Sequence, residues 1–177
     1  MTNHSVPTNA IIHSPRLQMT PIASDDHAFI QVLTNTPEWI RFIGNRNIQN
    51  SDDARAYIQK IRDNPNLHFW VVRPIGEDLP MGVVSFIKRD YLDHHDIGFA
   101  FLMEFTRKGY AQEAARAVLQ ELVKNGNHEQ ILATTIPDNV ASIQLLEKLG
   151  LTLERELDVE GLRLLLYATP AVTFIND

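Results

Sequence analysis

The sequence contains no cysteine, which excludes disulfide staples, thiolate metal sites and cysteine nucleophiles together. It has no apolar run near the roughly 18–20 residues that span a bilayer. It has no excess of positive charge either. Sixteen basic residues stand against 22 acidic ones, for a net charge of −6. That balance argues against a general nucleic-acid binder but leaves room for a small basic site. Three common signatures are also missing: G-x-x-x-x-G-K-[ST], G-x-G-x-x-G after a strand, and the G-x-S-x-G elbow. Nucleotide-hydrolase, dinucleotide and serine-hydrolase readings lose their weight with them. The opening Met1-Thr2-Asn3-His4-Ser5-Val6-Pro7 shows no basic lead and no apolar stretch of the secretory kind. A cytoplasmic soluble protein that needs neither nucleic acid nor membrane is the expectation.

What is present suffices for one domain. The 177 residues are 44% hydrophobic and 21% charged, ordinary for a globular chain. Residues 1–8 read as a polar lead-in, 9–170 as a single domain and 171–177 as a tail. Arg16–Thr20 alternates polar and apolar as a half-buried strand does. Asp25-Asp26 opens a helix carrying Phe29, Ile30, Val32 and Leu33. Ser51 is placed to cap a second helix, with Asp52 and Asp53 in its first turn and Ala54, Tyr57, Ile58 and Ile61 as its stripe. Pro65 lies just beyond it.

Three strands follow, at Phe69–Arg73, Met81–Ile87 and Asp96–Leu102, with polar connectors that imply antiparallel hairpins. From Ala111 the apolar residues fall at Ala111, Ala114, Ala115, Val118, Leu119, Leu122 and Val123, the spacing of an amphipathic helix. Gly126 is placed to end it. A strand at Ile131–Ile136, a helix at 139–149 and a hairpin of Leu151–Val159 with Leu162–Ala168, turning at Glu160-Gly161, complete the chain. The order βααβββαβαββ predicts an α/β (α+β) class, with a mixed, mostly antiparallel sheet flanked by about four helices.

One stretch carries chemistry: Thr106-Arg107-Lys108-Gly109-Tyr110-Ala111, a basic loop at the mouth of the long helix. The first helical amides lack partners inside the helix and carry partial positive charge. Gly109 leaves room for an anion to approach the backbone, and Arg107 and Lys108 add charge. Local sequence leaves two readings open here, an anion site or an ordinary strand-to-helix turn. The run Asp93-His94-His95-Asp96 resembles metal ligands in composition only. Neighbours on a hairpin turn point apart, so no metal is expected.

Phe105–Ala114 resembles the coenzyme A pyrophosphate loop of the GNAT N-acetyltransferases, usually Q/R-x-x-G-x-G/A. Asn139-Val140-Ala141-Ser142-Ile143-Gln144-Leu145-Leu146-Glu147-Lys148-Leu149-Gly150-Leu151 resembles the same family's N-x-x-S-x-x-L-x-x-K-x-G-F. Ser14-Pro15-Arg16-Leu17 and Ile43-Gly44-Asn45-Arg46 are similar to segments of its RimJ/RimL-like branch. The chain departs from the patterns at Thr106, where Gln or Arg is usual, and at Leu151, where an aromatic is usual.

The resemblance implies a GNAT-like fold and acetyl transfer from acetyl-CoA, as co-substrate, to a primary amine by direct attack in a ternary complex. It implies that Arg107, Lys108, Gly109, Tyr110 and Ala111 hold the cofactor's pyrophosphate. It also implies that the backbone of Phe101, Leu102 and Met103 pairs with the pantetheine arm, and that Asn139 and Ser142 touch the cofactor. Many relatives protonate the departing thiolate with a tyrosine at the position of Leu146. In the RimJ/RimL-like branch a serine matching Ser142 is implicated instead. Asn139 and Ser142 also fit the simpler role of helix caps.

The general base stays open among Asp96, Glu104, Glu156 and Asp158, or a water chain; Asp96 and Glu156 join Ser142 as catalytic candidates. Trp39, Phe42, Tyr57 and Trp70 are candidates to line an acceptor groove, or else core. The acceptor is a small-molecule or peptide amine, and the protein a monomer or homodimer. The alternative is a non-catalytic acyl-CoA-binding or protein-interaction module on the same fold.

Overall fold

The computed structural model describes residues 10–125 and 128–170. The expected lead-in at 1–8, the glycine stop at Gly126 and the tail at 171–177 lie outside the described residues. Within these residues eight strands form one sheet: β1 (Ile12–His13), β2 (Leu17–Pro21), β3 (Leu67–Pro74), β4 (Gly82–Ile87), β5 (Asp96–Phe101), β6 (Leu132–Thr135), β7 (Thr152–Val159) and β8 (Leu162–Ala168). Their spatial order is β1-β2-β3-β4-β5-β6-β8-β7. Among the described residues five α-helices cover it: α1 (His27–Thr34), α2 (Pro37–Phe42), α3 (Ser51–Asp63), α4 (Tyr110–Asn125) and α5 (Val140–Lys148). Among the described residues no helix is long and apolar enough to cross a membrane.

Strand alternation builds a core on each face. On β3, Trp70 and Val72 point to one side and pack with Leu17, Phe86, Val118 and Leu122, beneath α4 and α5. Val71 points to the other, against Ile30, Leu33, Trp39 and Ile58 of α1, α2 and α3. The expected stripe of α4 is the buried one: Ala114, Ala115, Val118, Leu119 and Leu122 are all buried. Each Val or Leu so buried contributes about 1.5–3 kcal/mol.

Several expectations are corrected in detail. The chain has two further elements, β1 and α2. The two-residue β1 is too short for alternation to show, and α2 has only six residues. Its start is nevertheless written locally: Thr36 accepts from Trp39 N–H, and Pro37 occupies the first turn. The cap of α3 is Asn50, whose Oδ1 accepts from Asp53 N–H at 2.9 Å, rather than Ser51, which is the first helical residue. Val32 is 57% exposed and lies off the buried stripe of α1. Trp70 cannot line a groove with the N-terminal helices, because it points to the opposite face of the sheet, and Trp39 is core. The last hairpin turns at Glu160 and Gly161, both with positive φ (52° and 83°), which matches strand twist.

At the end of the sheet where β5 and β6 meet, His95 stacks on Phe86, with ring centroids 4.6 Å apart and 9° between planes. His128 meets Phe86 and His95 edge-on at 5.0 and 5.4 Å. Burial lowers the His95 pKa from the ordinary 6.5 to about 4, assisted by His128, His68, Lys88 and His94. Between those values the unfolded chain binds a proton that the folded chain refuses, so stability falls as pH drops from 6.5 toward 4. We expect the thermal midpoint to decline through this window, and the slope to flatten in a His95→Leu variant that still folds. Scanning calorimetry across pH 4–7 measures both.

Candidate functional site

Every strand contact in the sheet is antiparallel except that between β5 and β6. That parallel contact has a single register pair, Asp96 with Leu132, tied by Leu132 N–H to His95 O at 2.9 Å. Beyond it the two strands separate. The consequence shows in burial. β5 is fifth of eight strands, yet Gly98, Phe99, Ala100 and Phe101 are all only partly covered. A wedge therefore opens between the carboxyl ends of β5 and β6, and α4 and α5 both begin at that end.

Alternation decides which backbone groups of β5 face the wedge. The carbonyl of His95 points toward β6, and the amide of Leu102 points away, donating to Met81 O at 2.9 Å. The backbone groups of Phe99 and Phe101 accordingly face the opening. Of the stretch expected to pair with a pantetheine arm, Phe101 is oriented for it. The Leu102 carbonyl accepts from Phe105 N–H at 3.0 Å, and Met103 enters a short 3₁₀ turn. Gly82 makes room for the Phe101 ring: a Cβ there would lie 2.5 Å from Phe101 Cγ and 2.6 Å from the Ala100 carbonyl.

The loop that follows is built by hydrogen-bond accounting. Thr106 donates its amide (3.1 Å) and its hydroxyl (2.7 Å) to Met103 O, so its side chain closes the turn. Arg107 and Gly109 then take left-handed conformations, φ 60° and 79°, on either side of Lys108. Such alternation turns successive amides to one side. The first helical hydrogen bond runs from Glu113 N–H to Gly109 O at 3.0 Å. Among the described residues, the amides of Lys108, Gly109, Tyr110, Ala111 and Gln112 donate to no protein group. These amides, the dipole of a 16-residue helix and two exposed cations share one spot.

Across the wedge, Asn139 caps α5, with Oδ1 accepting from Ser142 N–H at 3.2 Å. The Ser142 hydroxyl is half-buried and makes no hydrogen bond among the described residues. One turn on, Leu146 is sealed in the core, so no hydroxyl occupies that place.

The topology thus puts Phe101, Arg107 to Ala111, Asn139 and Ser142 at the same end of the sheet, around the gap between β5 and β6. It leaves Asp96 and Glu156 outside. Asp96 lies at the closed end of β5, buried, with both carboxylate oxygens on Arg89 Nε at 3.1 and 3.0 Å. Burial pushes its pKa up against the pull of Arg89. Glu156 sits on the edge strand, level with Leu165 and through it with Thr135. That is two strands away from β6, about 10 Å at ordinary strand spacing. Arg163 binds it through Nε at 2.9 Å and through a second, shorter contact, and holds its pKa below the usual carboxylate value. Glu104 is exposed on the 3₁₀ turn, and Asp158 accepts from Gly161 N–H at the hairpin turn. No group of three or more His, Asp or Glu among the described residues is arranged to hold a metal. Two residues at this site had no expected role there: Glu113 in the first turn of α4, and Arg16, whose Nη2 lies 3.4 Å from where a Gly109 Cβ would sit.

Residues 16–152 match the acetyltransferase (GNAT) domain family. A Bacillus subtilis (strain 168) protein named uncharacterized N-acetyltransferase YnaD is 34% identical over 105 residues. The alignment takes in 58% of this chain and 60% of that protein, so the chain spans less than two-thirds of that relative's length. Among solved structures, a GNAT-family acetyltransferase from Bacillus anthracis superposes with a TM-score of 0.77 at 25% identity, covering 92% of this chain and 99% of that one. RimL, a ribosomal L7/L12 alpha-N-protein acetyltransferase in complex with coenzyme A, superposes at 0.78 with 16% identity, covering 91% and 98%.

Replacing Gly109 with Val imposes a left-handed conformation on a branched residue, at a cost of about 1–2 kcal/mol, and crowds the loop. We expect the thermal midpoint to fall by about 2–8 °C while affinity for coenzyme A, measured calorimetrically, falls tenfold or more. Parallel loss of folding and affinity would reduce the glycine to a structural role.

Proposed function

The chain belongs to the GNAT acetyltransferase family, and on that premise we propose that it transfers the acetyl group of acetyl-CoA to a primary amine by direct attack in a ternary complex. The observation that carries this is the wedge between β5 and β6, with five amides at its mouth, two from the loop and three from the start of α4, that donate to no protein group among the described residues. A pyrophosphate is the kind of anion such a mouth takes, and Arg107 and Lys108 supply the flanking charge. The pantetheine arm lies along the backbone of Phe99 and Phe101, whose free groups face the wedge. The RimL neighbour, solved with coenzyme A, supports this placement.

The chemistry then asks for orientation and two proton movements. An alkyl ammonium has a pKa near 10.4 and attacks only after losing its proton. Asp96 and Glu156 are engaged by Arg89 and Arg163, so in this reading the proton leaves to water. The neutral nitrogen adds to the thioester carbonyl and the C–S bond breaks; the Ser142 hydroxyl passes its proton to the departing thiolate and is re-protonated by the proton that the new amide nitrogen sheds, so no alkoxide is left behind. Asn139 holds Ser142 in place through the cap. The acceptor is a small-molecule or peptide amine.

Calorimetry with coenzyme A and acetyl-CoA, followed by a thiol-release assay over peptide α-amines, amino acids and polyamines, tests the reading. Binding of both thiol and thioester, with release stimulated by at least one amine class, is the expected result. Ser142→Ala should lower kcat by about 100-fold or more, the range for a general acid, and leave coenzyme A affinity within a few-fold. Absence of coenzyme A binding would overturn the proposal. Binding without turnover on any amine would instead assign a non-catalytic acyl-CoA-binding role.

A further inference from the structure

The turn between β1 and β2 reaches the mouth of α4, far from it in sequence. Arg16 Nε donates to Glu113 Oε2 at 2.6 Å, and the Arg16 amide donates to Oε1 at 2.8 Å. The Ser14 hydroxyl donates to the same Oε1 at 2.7 Å and itself accepts from Leu17 N–H at 3.2 Å. The other arm of the guanidinium reaches the loop: Nη1 donates to Lys108 O at 3.2 Å. The guanidinium carbon lies 4.6 Å from the centre of the Tyr110 ring. A single side chain therefore touches residues 108, 110 and 113, the loop and the first helical turn together.

Two physical needs meet at this contact. The first concerns Glu113. A carboxylate in the first turn of a helix sits where the dipole favours an anion, so a free Glu113 would compete with an incoming phosphate and repel it. Arg16 and Ser14 draw both of its oxygens toward the β1–β2 turn and neutralise it. The second concerns the loop, whose amides converge only while Arg107 and Gly109 hold left-handed conformations. Pinning the Lys108 carbonyl and covering Tyr110 holds the backbone in that state before any ligand arrives. Nη2 makes no hydrogen bond to protein among the described residues and faces Gly109, so its donors stand beside the free amides. An ion pair whose arginine is half exposed does little for stability by itself, which leaves pre-organisation of the anion site as its consequence.

We propose that Arg16 is a positioning residue for the pyrophosphate of acetyl-CoA, neutralising Glu113, fixing the loop at Lys108–Tyr110 and adding a guanidinium edge to the phosphate site. This rests on the reading of the loop as the site for that pyrophosphate.

The test separates phosphate recognition from general structure by using two ligands. Coenzyme A carries the pyrophosphate, whereas S-acetylpantetheine carries the thioester and arm without any phosphate. Affinity for the first is read by calorimetry and for the second by ligand-observed NMR, on the full chain and on Arg16→Met and Arg16→Lys. The expected result is a tenfold or larger loss for coenzyme A in Arg16→Met, with less than a twofold change for S-acetylpantetheine. Arg16→Lys, which keeps the charge but not the fork, should lose threefold or more for coenzyme A alone. If Arg16→Met does not fold, the Lys variant decides by the same comparison. Equal loss for both ligands, or retention of coenzyme A affinity within twofold, would overturn the inference while leaving the coenzyme A reading intact. A wild-type chain that fails to bind coenzyme A would overturn that reading and this inference with it.

Discussion

Two parallel strands that share one register pair cannot stay side by side. The rest of the molecule follows from that constraint between β5 and β6. Parallel strands need a crossover, and here α4 makes it, so the helix must begin at the open end of β5. The chain after β6 repeats the move with α5. Two helix starts therefore flank one gap, and the backbone of β5 that would have met β6 is left facing it. A closed sheet would have spent those groups on a ladder and left no room for a ligand arm.

In the proposed reading, the loop between β5 and α4 keeps a helix mouth open to an anion without collapsing on itself. Acidic side chains are the usual partners of first-turn amides, and α4 has one available in Glu113. The β1–β2 turn draws that carboxylate away, and Thr106 spends its hydroxyl on the preceding turn. The amides are thus protected from both local competitors. Thr106, which stands where a longer polar side chain is usual in related loops, has a job that requires a short one.

How much of this was legible in the sequence varies with the range of the interaction. The helix at α4, the antiparallel run β3–β4–β5 and the terminal hairpin are written in periodicity and turn residues, and the structure has them within a residue or two. At Arg107–Ala111 the local coincidence of glycine, charge and helix onset marked a helix mouth but left an anion site and an ordinary turn both open, and only the family resemblance favoured the first. Elements too short to express a period, β1 and α2, were not. Side-chain direction was only partly legible, since Trp70 reads equally well as groove or core until the sheet's two faces are assigned. Least visible were the long-range partners. Nothing near Glu113 announces Arg16, which lies 97 residues away; Arg89 and Arg163 lie only seven residues from Asp96 and Glu156, yet the sequence does not say that their side chains meet. Candidate carboxylates were named from their strands, whereas their availability is set by those partners.

The central claim is that the α4 mouth and the facing edge of β5 form one ligand site. Amide-resolved NMR during titration with coenzyme A tests it most directly. The account predicts that the amides of residues 108–112, together with Phe99 and Phe101, shift in step with a single affinity. Amides at the closed end, around Asp96 and Leu132, should stay still. Saturable shifts confined to other surfaces, with residues 108–112 unmoved, would contradict it.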